Sequence, residues 1–236
     1  IKNSIQITGS HNPKEYNGFK FSMHGKPFFG KQIIKIKEII KNKSIQTVKQ
    51  KGNIQKLEII DDYIEMIQKK INIDKKIRCV MDCGNSVAGI VAPKIFKNLN
   101  IDLKKIFCDI NPDFPNHHPD PTVDSNLNDL VECVKKGNFD LGVAYDGDAD
   151  RVVVVDENGG IIRSDILMSI FVKKIISEED SVIFDVKCSR ALESTIKSVG
   201  AEPVMYKTGH SLIKNKMIEI NSKFGGEMSG HIFFND

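Results

Sequence analysis

Apolar and polar positions follow a strand and helix rhythm along most of this 236-residue chain. From Lys31 to Lys43, Ile33, Ile36, Ile39 and Ile40 fall at helical spacing with lysines between them, which predicts an amphipathic helix. A polar connector from Ser44 to Lys56 contains Gly52. Ile59, Tyr63, Ile64, Ile67 and Ile71 then mark another helix, so a new domain is expected to start near Ile54. Next come a short apolar run from Ile77 (IRCVM), a helix-like stretch from Ser86 to Lys97 and a run from Ile101 to Cys108, which read as strand, helix and strand. A proline-rich loop, Asn111 to Pro121, leads to a helix with Leu127, Leu130, Val131 and Val134 on one face. That helix is expected to end at Gly137, before the strand FDLGVAY. Beyond RVVVVD, a turn at Glu157 to Gly160 joins two short strands. A fresh series then begins: a helix from Asp165, the strand VIFDV, a helix from Ser189 to Val199 and the strand PVMY. The pattern predicts α/β domains in series with a boundary near Gly160.

Composition narrows the function classes. The 34 basic residues nearly balance the 31 acidic ones, and lysine is spread along the chain. There is no footprint for nucleic acid or an anionic membrane. No apolar run reaches the roughly 18 residues of a membrane span, and the start does not resemble a signal peptide. The five cysteines (79, 83, 108, 133 and 188) are odd in number, lack zinc-ligand spacing and lie mostly in apolar runs. A reducing, cytoplasmic setting is expected. The start at Ile1, directly before a dense polar motif, and the stop at Asp236 lead us to expect a piece of a longer protein.

Three motifs and two strand-end clusters carry chemistry. TGSHNPKEYNGFK (Thr8 to Lys20) is rich in turn residues but also sets Ser10 between Gly9 and His11, with Lys20 further on. It reads either as a plain turn or as a nucleophile with basic neighbours that stabilise a phosphoryl group. DGDADR (Asp146 to Arg151) follows a strand directly. Its three carboxylates at alternate positions repel one another and call for a cation, and short-spaced oxygen ligands suit Mg²⁺. A calcium loop would use Asp146, Asp148, Asp150 and Glu157, but Arg151 stands where glycine is required and a β-branched run follows. A phosphatase of the haloacid-dehalogenase type would use Asp146 as nucleophile, but expects Thr or Val at Asp150. Lys187 after VIFDV, and Lys207, Thr208, Gly209 and His210 after PVMY, lie at strand ends, where open α/β sheets bind ligands. In GGEMSGH, Glu227, Ser229 and His231 alternate, so an extended segment would present all three on one face to sugar hydroxyls, with His231 able to move a proton. His117 and His118 sit among prolines with no partner ligands nearby, and read as a structural or interdomain loop.

In order, TGSHNP, FPNHHPDP, DGDADR, DVKCSR, KTGH and GEMSGH resemble the motifs of bacterial phosphomannomutase/phosphoglucomutase enzymes, of the α-D-phosphohexomutase superfamily. The resemblance spans essentially the whole chain. It implies consecutive three-layer α/β domains with mixed, mostly parallel sheets: 1–53 with the phosphoserine loop, 54–159 with the metal loop and 160–236 with the sugar loop. The start of the first domain and a fourth, phosphate-binding domain would be absent. It further implies that Ser10 is the phosphoserine, that Asp146, Asp148 and Asp150 hold Mg²⁺ with a phosphoserine oxygen, and that Arg151 and His11 border the phosphate. Lys20 looks like the proton-transfer residue. Glu227 and Ser229 would hold sugar hydroxyls, while Lys187, Lys207, Gly209, His210 and His231 would line the sugar site, with His231 also a candidate base. The implied reaction interconverts hexose 1- and 6-phosphates through a hexose 1,6-bisphosphate, which also primes the enzyme, in a monomeric parent. Phosphoglucosamine mutase is the nearest alternative, although those relatives usually carry Gln where Met228 stands. A non-catalytic sugar-phosphate-binding protein is the alternative of another class.

Overall fold

The computed structural model describes residues 2–47 and 49–235 and is built on three sheets. The first is antiparallel, in the order β1 (Asn3–Ile7), β2 (Phe19–Met23), β3 (Lys26–Phe28), and is followed by helix α1 (Lys31–Lys41). Its strands were not anticipated from sequence, because five residues or fewer give too short an alternation beside a polar loop. β1 and β2 pair from Asn3↔Met23 to Ile7↔Phe19, and the Thr8 N–H donates to the Gly18 carbonyl at 2.9 Å. The serine motif is therefore a closed loop at one end of a hairpin.

Helix α2 (Ile60–Lys70) leads into the second sheet: β4 (Ile77–Asp82), α3 (Ala88–Lys97), β5 (Ile101–Ile106), α4 (Asn128–Gly137), β6 (Leu141–Tyr145), β7 (Val152–Asp156) and β8 (Ile161–Ile162). The strand order is β5-β4-β6-β7-β8, with β5, β4 and β6 parallel and the last two antiparallel. Successive strand residues face opposite sides. Val80, Ala144, Val153 and Val155 pack with Leu127, Leu130 and Val134 on the α4 side, while Cys79, Met81 and Val143 pack with Ala88 on the α3 side. Three layers result.

The third sheet repeats the device with α5 (Ser164–Ile175), β9 (Ser181–Asp185), α6 (Arg190–Ser198), β10 (Glu202–Tyr206), α7 (His210–Ile220), β11 (Phe224–Gly226) and β12 (Ile232–Phe234). The order is β10-β9-β11-β12, with only β12 antiparallel. Val182 and Phe184 meet Met168, Val172, Leu192 and Ile196 of α5 and α6, and Ile183 meets Ile213 and Met217 of α7. The chain is thus a mixed α/β fold whose two larger sheets are parallel except at one antiparallel edge each. Among the described residues no helix is long and apolar enough to cross a membrane.

Several boundaries differ from expectation for local reasons. β5 stops at Ile106, two residues early, because Phe107 takes φ +51°. α3 starts at Ala88 instead of Ser86 because Gly84 and Asn85, at φ +53° and +55°, turn the chain first. α4 ends at Gly137 as expected, and Asn138 adopts the left-handed cap at φ +51°, a conformation Asn tolerates. Helix α7 was missed entirely, although Ile213, Met217 and Ile220 are spaced i, i+4, i+7.

The carboxyl ends of the central strands carry buried carboxylates: Asp82 closes β4, Asp146 follows β6 and Asp185 closes β9. Asp82 is partnered by His117, whose Nε2 lies 3.0 Å from Asp82 Oδ2 and whose Nδ1 lies 2.9 Å from the His118 carbonyl. Burial pushes the His117 pKa down, but the bonds to Asp82 and the His118 carbonyl more than reverse this and leave it raised. A raised folded-state pKa contributes stability that is complete below the ordinary value of about 6.5 and is lost as pH rises through the folded value. Replacing His117 by Gln should therefore lower the thermal midpoint more at pH 6 than at pH 9. Equal decrements at the two pH values, measured by differential scanning calorimetry, would remove the charged pair from the account.

Candidate active site

The serine loop and the acidic loop meet backbone to backbone. Ser10 adopts φ +51°, a left-handed conformation uncommon outside glycine, and its N–H donates to Thr8 Oγ1 at 2.9 Å. A Cβ on Gly147 would lie 2.0 Å from the Ser10 carbonyl oxygen, so only glycine lets the loop after β6 approach this closely. The approach puts Ser10 Oγ 3.2 Å from Asp146 Oδ2, to which it donates, and 3.0 Å from His11 Nδ1. From the other side, His118 Nε2 lies 2.5 Å from the His11 carbonyl and fixes the serine loop against the proline-rich loop.

Three carboxylates are crowded there. Oxygens of Asp146, Asp148 and Asp150 all lie within 4.8 Å of one another. Asp146 is fully buried, and its Oδ1 accepts the N–H groups of Asp150 and Arg151 at 3.1 and 3.2 Å. Burial, together with the charges of Asp150 and Asp148, pushes its pKa up to about 6. Lys20, on β2, bridges Asp148 Oδ2 and Asp150 Oδ2 at 3.1 and 2.9 Å, and Thr8 Oγ1 donates to Asp148 Oδ2 at 2.9 Å. The second Asp148 oxygen, Oδ1, is buried without a hydrogen-bond partner. A buried carboxylate oxygen left bare is costly, and hard oxygen donors clustered around it suit a divalent cation that prefers oxygen ligands. These residues fit a metal.

Across the cleft, the sugar motif is a tight hairpin turn and not the extended segment expected from its alternation. The Glu227 N–H donates to the His231 carbonyl at 2.9 Å, and the Gly230 N–H to the Glu227 carbonyl at 3.1 Å. The side chains converge even so: His231 Nδ1 lies 2.7 Å from Glu227 Oε2 and 3.0 Å from Ser229 Oγ, while its Nε2 lies 3.0 Å from Asp150 Oδ1. Glu227 Oε1 accepts the Gly209 N–H at 2.5 Å, so both carboxylate oxygens are engaged within the protein. Burial lowers the His231 pKa, but Asp150 and Glu227 outweigh it and raise it to about 9. These neighbours favour the protonated form of His231, whereas the sequence reading makes it a candidate base. Its neighbour His210 is driven the other way, to about 4, by burial and by the His231 charge.

Ser10, His11, Lys20, Arg151, Lys187, Gly209, His210, Glu227, Ser229 and His231 all border one cleft of about 770 Å³. Lys207 does not line it and is exposed, because the turn after β10 directs its neighbours Thr208 and Gly209 inward instead. Sequence reasoning missed Thr8, which ties serine and metal loops together, and Asp185. The fully buried Asp185 accepts the Lys187 N–H at 3.1 Å and the Thr208 hydroxyl at 3.2 Å, orienting two strand-end loops. Asp120, Thr122, Arg163 and Met228 also line the cleft. Only the strand-end position of Asp185 could have flagged it.

Models of phosphoglucomutase/phosphomannomutase alpha/beta/alpha domains match the chain in sequence order: domain I over residues 1–47, domain II over 61–160 and domain III over 163–236. The chain belongs to the phosphoglucomutase/phosphomannomutase family. It is 43% identical over 237 aligned residues to the phosphomannomutase/phosphoglucomutase of Pseudomonas aeruginosa, covering 100% of this chain and 51% of that protein. To the phosphoglucomutase of Neisseria meningitidis serogroup A it is 40% identical, covering 98% of the chain and 51% of that protein. A crystal structure of a phosphoglucomutase/phosphomannomutase family protein from Burkholderia thailandensis superposes with a TM-score of 0.96 at 40% identity, covering 100% of the chain and 52% of that structure. The chain thus spans about half the length of the curated relatives it matches.

Within this family site, the contact between the two loops is open to a direct test. Gly147→Ala must separate the acidic loop from the Ser10 carbonyl, at a cost of about 1–3 kcal/mol for an overpacked position. Gly52→Ala, where nothing lies within 4 Å of the added carbon, serves as control. Chemical denaturation that shows equal stability for the two variants would mean that the loops are not held in contact.

Proposed function

We propose that this chain supplies the serine, metal and sugar-facing parts of a phosphohexomutase. That enzyme would interconvert the 1- and 6-phosphates of mannose, glucose or both through phospho-Ser10 and a hexose 1,6-bisphosphate. The observation that carries the reading is the Ser10 hydroxyl, 3.2 Å from Asp146 at the mouth of a carboxylate cluster in which Asp148 Oδ1 is buried and bare. A nucleophile beside an unsatisfied oxygen cage is what phosphoryl transfer to and from a serine needs, since its catalysis is mostly positioning and charge neutralisation.

Asp146, Asp148 and Asp150 would hold Mg²⁺, with an oxygen of phospho-Ser10 completing the set. Bound there, Mg²⁺ neutralises charge on the phosphoryl oxygens. Arg151, whose Nε is 3.6 Å from Asp146, and His11 flank the same point. The His11 pKa is lowered, first by burial and then by the Arg151 charge, so its Nδ1 is available to take the Ser10 proton as the serine is phosphorylated and to return it afterwards. In the transfer to substrate, the free hydroxyl of the hexose phosphate bonds to phosphorus and gives up its proton, and the bond to Ser10 Oγ breaks. Lys20 is the residue we assign to proton transfer on the substrate side. Burial lowers its pKa, but Asp150 and Asp148 raise it overall, so substrate binding must loosen those ion pairs before Lys20 can act as a base. The reoriented bisphosphate then returns its other phosphoryl group to Ser10. Lys187, His210 and Ser229 would face the sugar, with Glu227 acting through His231 and Gly209.

The rival in which Asp146 carries the phosphoryl group sits poorly with its surroundings, because both of its oxygens already accept hydrogen bonds from Ser10 and two backbone N–H groups. Met228 in the cleft wall favours glucose and mannose enzymes over phosphoglucosamine mutase. The phosphoserine is tested by incubating the chain with glucose 1,6-bisphosphate and Mg²⁺ and mapping the tryptic peptide Asn3–Lys14. Phosphate should appear on Ser10 and vanish in Ser10→Ala. A hydroxylamine-labile acyl phosphate on Asp146 would overturn the assignment.

The metal is tested separately by thermal shift. Mg²⁺ should raise the melting temperature of the wild type and leave that of Asp148→Asn unchanged. A shift of the same size in both proteins would place the cation elsewhere.

A further inference from the structure

Two thiols outside the cleft stand in contact. Cys83 directly follows β4 and is fully buried, whereas Cys108, just beyond β5, is partly exposed. Their sulfurs are 3.1 Å apart, and both are free thiols. A disulfide needs about 2.05 Å between sulfurs, so closing the bond asks for a movement of about 1 Å.

The two sulfurs are chemically unequal. The Cys108 S–H points toward Cys83; the contact between the two sulfurs, with the Lys105 charge, lowers the Cys108 pKa against the effect of burial, while the same contact and burial drive Cys83 up. The partly exposed member of the pair is thus the one inclined to be a thiolate, the form that reacts with oxidants.

What the pair touches gives the contact a consequence. The Cys83 carbonyl accepts the Ser86 hydroxyl at 2.6 Å, and the same hydroxyl lies 3.3 Å from the Asp146 carbonyl. Asn85, two residues from Cys83, donates its N–H to the Phe107 carbonyl at 2.7 Å, and its Oδ1 accepts the Asn116 amide at 2.7 Å. Asn116 belongs to the loop whose His118 holds the His11 carbonyl. One turn, residues 83–86, therefore braces both the acidic loop and the serine loop. Positive φ at Gly84 and Asn85 within the turn and at Phe107 beside it leaves it few ways to absorb a displacement without passing it on.

We propose that Cys108 and Cys83 form a peroxide-reactive modification site whose disulfide displaces the Cys83–Ser86 turn and weakens metal binding by the acidic loop. The Cys108 thiolate attacks hydrogen peroxide, giving a sulfenic acid and hydroxide. The Cys83 thiol then attacks the sulfenic sulfur, forming the disulfide, and water leaves with the Cys83 proton. Reduction by a dithiol reverses the change. The coupling to metal rests on the reading that Asp146, Asp148 and Asp150 hold Mg²⁺, whereas the disulfide itself does not.

The test uses the whole chain, reduced and then treated with hydrogen peroxide. After alkylation and trypsin, mass spectrometry should find a peptide pair cross-linked through Cys83 and Cys108, two hydrogens lighter than its reduced parts and absent from Cys108→Ser. Calorimetric titration with Mg²⁺ should show affinity about tenfold weaker after peroxide, the lower end of what loss of an outer partner to a metal ligand costs. Dithiothreitol should restore it, and Cys108→Ser should bind like the reduced wild type before and after peroxide. Cys108 over-oxidised with no cross-link, a cross-link through other cysteines, or equal Mg²⁺ affinity in reduced and oxidised protein would each overturn the proposal. Reduced protein that binds no Mg²⁺ would overturn the metal reading, and with it the coupling, even where the cross-link forms.

Discussion

Mutual repulsion among Asp146, Asp148 and Asp150 is the constraint around which the site is arranged. The three carboxylates come together because the chain turns tightly after β6, a turn further compressed by Gly147 lying against the Ser10 carbonyl. Left alone, such a cluster would protonate or spread apart. Here it is held by Lys20 from the first sheet, Arg151 and two N–H groups from its own loop, and His231 from the third sheet. Each structural unit contributes a positive group or a donor. The electrostatics of one loop thereby unite three sheets that share little core.

The compensation is incomplete at one atom, Asp148 Oδ1. Every other carboxylate oxygen of the three has a partner, so this is the one left bare where a cation could be held. The opposed pKa shifts of the two cleft histidines follow from the same field. His231 touches Asp150 and Glu227 and keeps its proton, while His210 faces that charge and loses its own. Two imidazoles with ring centroids 4.9 Å apart are thus biased in opposite directions toward a proton.

The loops of the third sheet show the other means of building a site, with buried groups that act through their neighbours. Glu227 is buried and spends both oxygens inside the protein, fixing His231 and the start of α7. Asp185 does likewise for the loops after β9 and β10. Lys187, by contrast, is exposed at the cleft edge, and the half-buried Ser229 lies 3.0 Å from His231 Nδ1.

Much of this was legible in the sequence because it is local. The periodicities of the second and third α/β units, the position of DGDADR after an apolar strand and the dense serine and sugar motifs each reflect residues close in the chain. Helices and strands are illegible where the local signal is weak or masked: in the short strands flanking the serine loop, and in α7, whose first residue also belongs to a polar motif. What sequence could not supply was juxtaposition. Thr8 and Asp148 are 140 positions apart, and Lys20 and Asp150 are 130 apart. Whether Glu227 meets a sugar or a histidine depends on a hairpin turn that overrides the alternation of its residues. Residue types and spacing determined the available chemistry, a nucleophile, a carboxylate cluster and polar strand ends. Tertiary structure alone decided which groups are buried and paired and which remain free to bind, because burial and pairing are set by neighbours that the chain brings in from far away.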